Sequence, residues 1–299
     1  MLSILIPVYN INCYPLVESL VQQLEAIKLK YEILCFDDAS QKTFKEHSLL
    51  KKWDSVTFSK LKNNIGRSRI RNLLASKATY DWLLFLDADT LPTHTHFISK
   101  YIEIIATNPK EQVFSGGLAY REEDRNANNH LRFKYGKARE SISFEKRAKT
   151  PYTTLLMSNT LVKKTVFDKV QFNNKITLYG HEDAVFSYDL YGASILVKHL
   201  DNPVFHTGLE PNDVFIKKSK IAVKNLWYLY LQGLIHPEIN RLLKYYTRFK
   251  SLFLLSLFSQ LYKSFHTYFE RKLSTKNPSL LLFDIYRFSY LCYLSKMEN

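Results

Sequence analysis

Two rhythms of apolar residues alternate along the first part of the chain. Short apolar runs of strand length occur at Leu2 to Val8, Tyr31 to Phe36, Val56 to Leu61 and Trp82 to Leu86. Between them, apolar residues fall at helical spacing. Pro15 to Leu29 carries Leu16, Val17, Leu20, Val21, Leu24 and Ile27, and Ser68 to Ala78 carries Ile70, Leu73 and Leu74. Phe44 to Trp53 reads as a further helix and Asn63 to Gly66 as a turn. Strand and helix in strict alternation predict an α/β fold: a mostly parallel central sheet with helices on both faces, Rossmann-like in plan. The run Trp82 to Leu86 has no polar alternate, which suits a strand buried on both sides.

Further along, the pattern predicts a helix from His96 to Thr107 and a strand from Val113 to Tyr120 with Gly116-Gly117 inside it. Arg121 to Lys149 is charged and polar and reads as a partly mobile excursion over the sheet edge. Thr153 to Val162 is strand-like up to Ser158-Asn159, and Phe167 to Phe172 begins a short helix. A helix follows from Tyr179 to about Tyr191, with Glu182 and Asp183 in its first turn, where acids complement the helix dipole. Ser194 to Val197 and Pro203 to His206 are short strands. From Val214 onward the rhythm is helical throughout, with long helices at Val223 to Leu234, Ile239 to His266 and Ser279 to Leu294.

Three of the early strands end in polar or acidic residues: Tyr9-Asn10, Asp37-Asp38 and Asp87-Ala88-Asp89. In open α/β sheets, ligands bind beyond the carboxyl ends of the strands, so these groups share one candidate site. Asp87 and Asp89 repel each other unless a cation or donors lie between them, and residues at i and i+2 of a strand share a face. The plain alternative is a turn closed by Asp87 and Thr90.

Charge divides the chain. Formal net charge is +14, with 46% hydrophobic and 23% charged residues. From Lys217 to Asn299 there are 14 Lys and Arg against 4 Asp and Glu, so this segment holds most of the excess. A basic, aromatic-rich helical segment suits a partner bearing phosphates, such as an anionic membrane surface, or packing against the first domain or a twin subunit. No nucleic-acid-binding module appears, so nucleic acid ranks last among the partners. No window is apolar enough for a spanning helix, and Met1 to Pro7 lacks a basic n-region, so neither a membrane span nor a signal peptide is expected. Cys13, Cys35 and Cys292 show neither disulfide nor metal spacing.

Five motifs now stand in order: Ser3 to Asn10, Phe36 to Ser40, Asn64 to Asn72, Phe85 to Asp89, and Gly180-His181-Glu182-Asp183. Together they resemble family 2 glycosyltransferases, of the nucleotide-diphospho-sugar transferase superfamily with the GT-A fold. The likeness covers about residues 1–210. Ile70 departs from it, standing where a small residue is usual, and nothing beyond 212 follows a named pattern. The resemblance implies a GT-A catalytic domain at 1–212, and the spacing and charge set off 213–299 as a basic, aromatic-rich helical region. It implies an inverting, metal-dependent transferase of hexosyltransferase type, moving a sugar from a nucleotide-diphosphate donor, UDP-sugar favoured, to a hydroxyl of a glycan or lipid-linked acceptor. By that likeness Pro7 and Tyr9 line the base pocket, Asp38 accepts from the base, and Arg71 lies near base and diphosphate. Asp87 serves ribose or metal, and Asp89 binds the metal, Mn or Mg, with His206 completing the site. Asp183 is the catalytic base with Glu182 beside it toward the acceptor; Asn159 is placed facing the acceptor. Arg67 and Arg69 are left as solvent-side or phosphate-side charges. The expected location is the cytoplasmic face of a membrane, peripherally held, with a homodimer as a further expectation.

Two other classes fit parts of the pattern. A nucleotidyltransferase on a similar sheet would release pyrophosphate, but no Gly-rich loop follows Val8. A non-enzymatic nucleic-acid-binding protein would use its acids structurally, and substitution of Asp89 or Asp183 would leave its function intact.

Overall fold

The computed structural model describes residues 1–27, 29–108 and 112–297. Strand β1 (Leu2–Val8), helix α1 (Tyr14–Ile27), β2 (Tyr31–Asp37), β3 (Val56–Lys60), α2 (Arg67–Lys77) and β4 (Trp82–Leu86) follow the predicted alternation. The expected helix at Phe44 to Trp53 is a 3-10 segment, Lys45–Lys52, in which only Leu50 is buried. With no apolar stripe to bury, nothing favours the longer α-helical form.

Next come β5 (Thr90–Pro92), α3 (Phe97–Thr107), β6 (Val113–Ser115), β7 (Leu118–Ala119), α4 (His130–Arg139) and α5 (Phe144–Lys149). β8 (Asn159–Lys163), α6 (Lys164–Phe167), α7 (Glu182–Gly192), β9 (Val197–His199) and β10 (Val204–His206) complete the sheet-bearing part of the chain. The large sheet has seven strands in the order β3-β2-β1-β4-β8-β6-β9; a small one has the order β5-β10-β7. β1 pairs in parallel with β2 and β4, whereas β8 lies antiparallel between β4 and β6. The mostly parallel sheet is as predicted; the reversed strand is an addition.

Alternate residues of β1 feed two cores. Ile4 and Ile6 meet Leu20 and Leu24 of α1 and Phe97 and Tyr101 of α3 on one face. Leu5 meets Ile70 and Leu74 of α2 and Phe186 of α7 on the other. Each such side chain contributes about 1.5–3 kcal/mol of burial. Phe85 stacks on Phe167 at 5.2 Å, so truncating it to Ala would cost roughly 3–5 kcal/mol.

Three expectations are corrected. The single strand Val113 to Tyr120 is broken at Gly116-Gly117, its halves joining different sheets. A Cβ at Gly116 would lie 2.3 Å from the Asn202 carbonyl oxygen, and Gly117 has φ +86°, so this joint requires both glycines. The excursion Arg121 to Lys149 is ordered into α4 and α5 and is clamped by the buried Arg147. Its guanidinium donates to the carbonyls of Ser115 (3.1 Å), Gly116 (3.0 Å) and Leu200 (2.7 Å). Asn159 does not face an acceptor. It is buried, accepting from Tyr101 Oη at 2.6 Å and donating to the carbonyls of Gly117 and Asn202.

The C-terminal region is helical: α8 (Asn212–Leu231), α9 (Arg241–Ser251), α10 (Leu255–Leu273) and α11 (Leu280–Met297). The predicted helix Ile239 to His266 is split by a turn at Leu252 to Leu254. These helices share cores with the sheet-bearing part of the chain. Val223, Leu226 and Trp227 pack with Ile176 and Val185, and Phe215 and Ile216 pack with Leu131 of α4. Among the described residues no helix is long and apolar enough to cross a membrane.

Candidate active site

The carboxyl ends of β1, β2 and β4 meet at one edge, and the loops leaving them are laced together. Asp38 N–H donates to the Val8 carbonyl at 2.8 Å, and Asn10 Oδ1 accepts from the backbone N–H groups of Gln41 (2.8 Å) and Lys42 (3.0 Å). Asn10 (φ 56°), Ala39 (φ 58°) and His181 (φ 71°) hold left-handed backbone around this edge, a strain that lacing sustains. Pro7 is partly buried, and the Tyr9 ring beyond it is half exposed, free to stack. The buried Asp38 carboxylate accepts from the N–H groups of Ile65 (2.7 Å) and Gly66 (2.9 Å). It thereby fastens the start of α2, the helix that carries Arg71.

Arg71 is 2% exposed, and three acids surround it. It donates through Nη2 to Asp87 Oδ1 at 3.0 Å and through Nη1 to Asp183 Oδ1 at 3.0 Å, with Glu182 Oε1 at 3.4 Å. A buried guanidinium is tolerable only when paired in this way. One side chain thus joins the end of β4 to the start of α7. Arg67, which the sequence left at the solvent or phosphate side, reaches Glu182 Oε1 at 3.2 Å.

The three acids respond differently. Burial raises the Asp183 carboxyl to about 6; Arg71 opposes that, and the neighbouring Glu182 and Asp87 charges add to it. At Asp87 burial also works upward, but Arg71 and Arg67 outweigh it and hold the carboxyl below its ordinary range. Glu182 is likewise held down against burial by Arg67 and Arg71. Only Asp183 is poised near neutrality, and its Oδ2 is fixed by the Met157 N–H at 3.0 Å.

Asp87 and Asp89 do not continue a strand. Thr90 closes a turn onto the Asp87 carbonyl through N–H (3.1 Å) and Oγ1 (2.8 Å), so the local turn reading holds for the backbone. The side chains part company: Asp87 goes to Arg71 and Asp89 to His206. Antiparallel pairing sets His206 of β10 opposite Thr90 of β5, and Thr207 donates to the Asp89 carbonyl from N–H (2.8 Å) and Oγ1 (2.9 Å). His206 Nε2 lies 3.6 Å from Asp89 Oδ2. Gly208 leaves the room: a Cβ there would sit 2.4 Å from Asp89 Oδ2. Behind His206, Tyr120 stacks on the ring (5.6 Å), and Arg132 Nη2 stands 3.5 Å from Nε2 while pairing with Glu140 at 3.0 Å. His206 Nδ1 and Arg132 Nη1 are buried without a hydrogen-bond partner. The Asp89 carboxylate oxygen and His206 Nε2 are the two groups here with the chemistry to ligate a divalent cation of the Mn or Mg kind; Arg132, itself a cation, is not a ligand. Among the described residues no group of three or more His, Cys, Asp or Glu is placed to hold a metal ion.

Residues 3–170 match the family model described as Glycosyl transferase family 2. The chain belongs to that family. An uncharacterized glycosyltransferase of Haemophilus influenzae is 34% identical over 115 residues, a match covering 36% of this chain and 36% of that relative. This family 2 glycosyltransferase also shares its fold with solved structures. One is S. aureus TarS 1-349, whose complex with UDP is 15% identical, with TM-score 0.52, covering 75% of this chain and 64% of that one. Another is the mannosyltransferase PcManGT from Pyrobaculum calidifontis in complex with GDP-Man and Mn2+, at 14% identity and TM-score 0.54, covering 77% and 64%. The chain therefore spans less than two thirds of these relatives. Its fold is GT-A, with a helical C-terminal region.

Six of the site residues named from sequence group into two clusters, Arg71, Asp87, Glu182 and Asp183, and Asp89 with His206; Pro7, Tyr9 and Asp38 stand apart from both, at the ends of β1 and β2. Sequence reasoning passed over Tyr120, Arg132, Glu140 and the role of Gly208. Gly208 carried a local sign, as a glycine two residues beyond the predicted strand-end histidine; Tyr120 closes the predicted strand Val113 to Tyr120, and Arg132 and Glu140 lie in the segment read as partly mobile.

Proposed function

We propose that this glycosyltransferase moves a sugar from a nucleotide-diphosphate donor to a hydroxyl of a glycan or lipid-linked acceptor, with inversion. The carrying observation is the Arg71 bridge, 3.0 Å to Asp87 and 3.0 Å to Asp183. It sets a donor-side carboxylate and a proton acceptor at fixed distance across one site. Asp183 takes the proton of the attacking hydroxyl. A carboxyl raised to about 6 is ionised at neutral pH yet stronger as a base than an ordinary aspartate. Arg71 and the Met157 N–H aim it, and attack from its side, opposite the leaving diphosphate, inverts the anomeric carbon. Tyr9 stacks on the base and Asp38 accepts from it; after two backbone N–H groups its carboxylate retains lone pairs for the N3–H of uracil. UDP-sugars are therefore the favoured donors, with GDP-sugars next. Asp89 and His206 would hold a divalent cation, which when bound neutralises charge on the departing diphosphate.

Thermal shift with UDP- and GDP-sugars, with and without Mn or Mg, tests the donor. A stabilisation requiring both sugar nucleotide and metal is expected, since a ligand that binds only the folded form raises stability with its affinity. Release of nucleoside diphosphate supports sugar transfer; release of pyrophosphate would transfer the site to the nucleotidyltransferase class.

A further inference from the structure

The turn between α9 and α10 is built against its own sequence. Leu254 N–H bonds to the Phe249 carbonyl at 3.1 Å and Phe253 N–H to the Lys250 carbonyl at 3.1 Å, the double closure of a helix C-terminus. That closure puts Phe253 in the left-handed region, φ 58°, where glycine is preferred and a bulky residue is strained. Phe253 is also 92% exposed. An aromatic ring here weakens the turn and contributes nothing to a core. It does not stand alone: Leu252 is 55% and Leu257 64% exposed, and Phe265 and Tyr268 are about half exposed. Leu254, Leu257, Leu261, Phe265 and Tyr268 recur at intervals of three and four, so they form one stripe along α10, exposed except at Leu261, which is half-buried against the core. The opposite requirement, burial, is met by a separate stripe of Leu255, Ser259, Tyr262 and Phe269. α10 is thus apolar on two faces, and only one is covered.

Charge says what covers the other. From Arg241 to Leu273 there are seven Lys and Arg and a single acid, Glu270. Arg248 and Lys250 precede the turn and Arg271 and Lys272 end the stripe, all exposed. Glu270 is occupied by the Tyr286 hydroxyl at 2.6 Å. An exposed apolar edge bracketed at both ends by unopposed cations matches the interface of a bilayer carrying anionic headgroups.

We propose that the α9–α10 turn and the outer stripe of α10 form an insertion edge for an anionic lipid bilayer, with Phe253 as its leading wedge. The edge lies outside the sugar-transfer site, and its test does not depend on that reading.

The test is co-sedimentation of the full chain with vesicles of phosphatidylcholine alone or mixed with phosphatidylglycerol. Wild type should pellet with the mixed vesicles and be released by high salt, because cation–headgroup attraction is screened. Phe253→Gly should lose about tenfold or more in vesicle affinity, since one buried aromatic side chain is lost. Glycine suits the left-handed turn, so this loss cannot be blamed on misfolding, and the donor-induced thermal shift of the same variant should be unchanged. Lys250→Glu should weaken binding to mixed vesicles as well. Failure of wild type to pellet, or equal binding by Phe253→Gly, overturns the proposal. So does a wild-type dimer in light scattering that Phe253→Gly makes monomeric without any vesicle binding, for then a second copy covers the edge.

Discussion

The sheet edge and the C-terminal helices both concentrate charge and aromatic residues, but they spend them in opposite ways. At the edge, Arg71 is buried among Asp87, Glu182 and Asp183, every one within 3.4 Å. On α9 and α10, cations stand exposed with one acid among them, and Phe253 is almost wholly in solvent. In the first region each charge is defined by its neighbours and holds a geometry. In the second most cations are solvated, with at most a loose contact on a neighbouring ring, as Lys263 has with Tyr293. Buried ion clusters are costly to break, whereas exposed charges shift stability little. Substitutions in the two regions should therefore differ in size and in kind.

The largest effect belongs to the edge. Asp183→Asn should lower kcat by roughly 10²–10⁴-fold, the usual contribution of a general base, while the donor-induced thermal shift persists. Full turnover by Asp183→Asn on a competent acceptor would remove Asp183 from the role of base. A smaller effect should appear in pH. The base must be ionised to accept a proton, and burial raises its carboxyl to about 6, so activity should climb through pH 6 rather than near pH 4. Below that limb the rate should fall about tenfold per pH unit. A profile flat down to pH 5 would mean that Asp183 is not the titrating group. The smallest effect, and of opposite sign, belongs to the turn. Phe253→Gly relieves left-handed strain at an exposed site and should stabilise the fold by about 1 kcal/mol in chemical denaturation. A destabilised variant would show that Phe253 packs within the protein and would erase the contrast.

What could be read from the sequence follows from the range of the interactions involved. β1, β2 and β4 announce themselves as local apolar runs, and their polar ends follow directly; Asp38 and Asp87 were visible for that reason. The helical C-terminal region was equally plain from its spacing. Arg71 was placed near the nucleotide by likeness to the family, yet its bridging of Asp87 to Asp183 depends on the long-range packing of α2 against α7. No local periodicity encodes it. Arg67 looked like a surface charge for the same reason. α4 and α5 were missed because their polar composition resembles a loop. Their order comes from tertiary bonds, above all those of Arg147 to the carbonyls of Ser115, Gly116 and Leu200. Gly116-Gly117 were noticed inside an apparent strand, but the need for them lies in Asn202 and Arg147, which come from elsewhere in the chain.

That glycine joint has a mate. β6 pairs with β9 in the large sheet, and their continuations β7 and β10 pair again in the small one. Two ribbons therefore cross together from sheet to sheet, and the one that ends in His206 is spliced to the other on both sides of the gap. Strand faces alternate residue by residue, so a one-residue slip of β10 against β5 and β7 would turn His206 away from Asp89, and the paired crossings guard that register. The two crossings are as much a component of the Asp89–His206 pair as the histidine and the aspartate themselves.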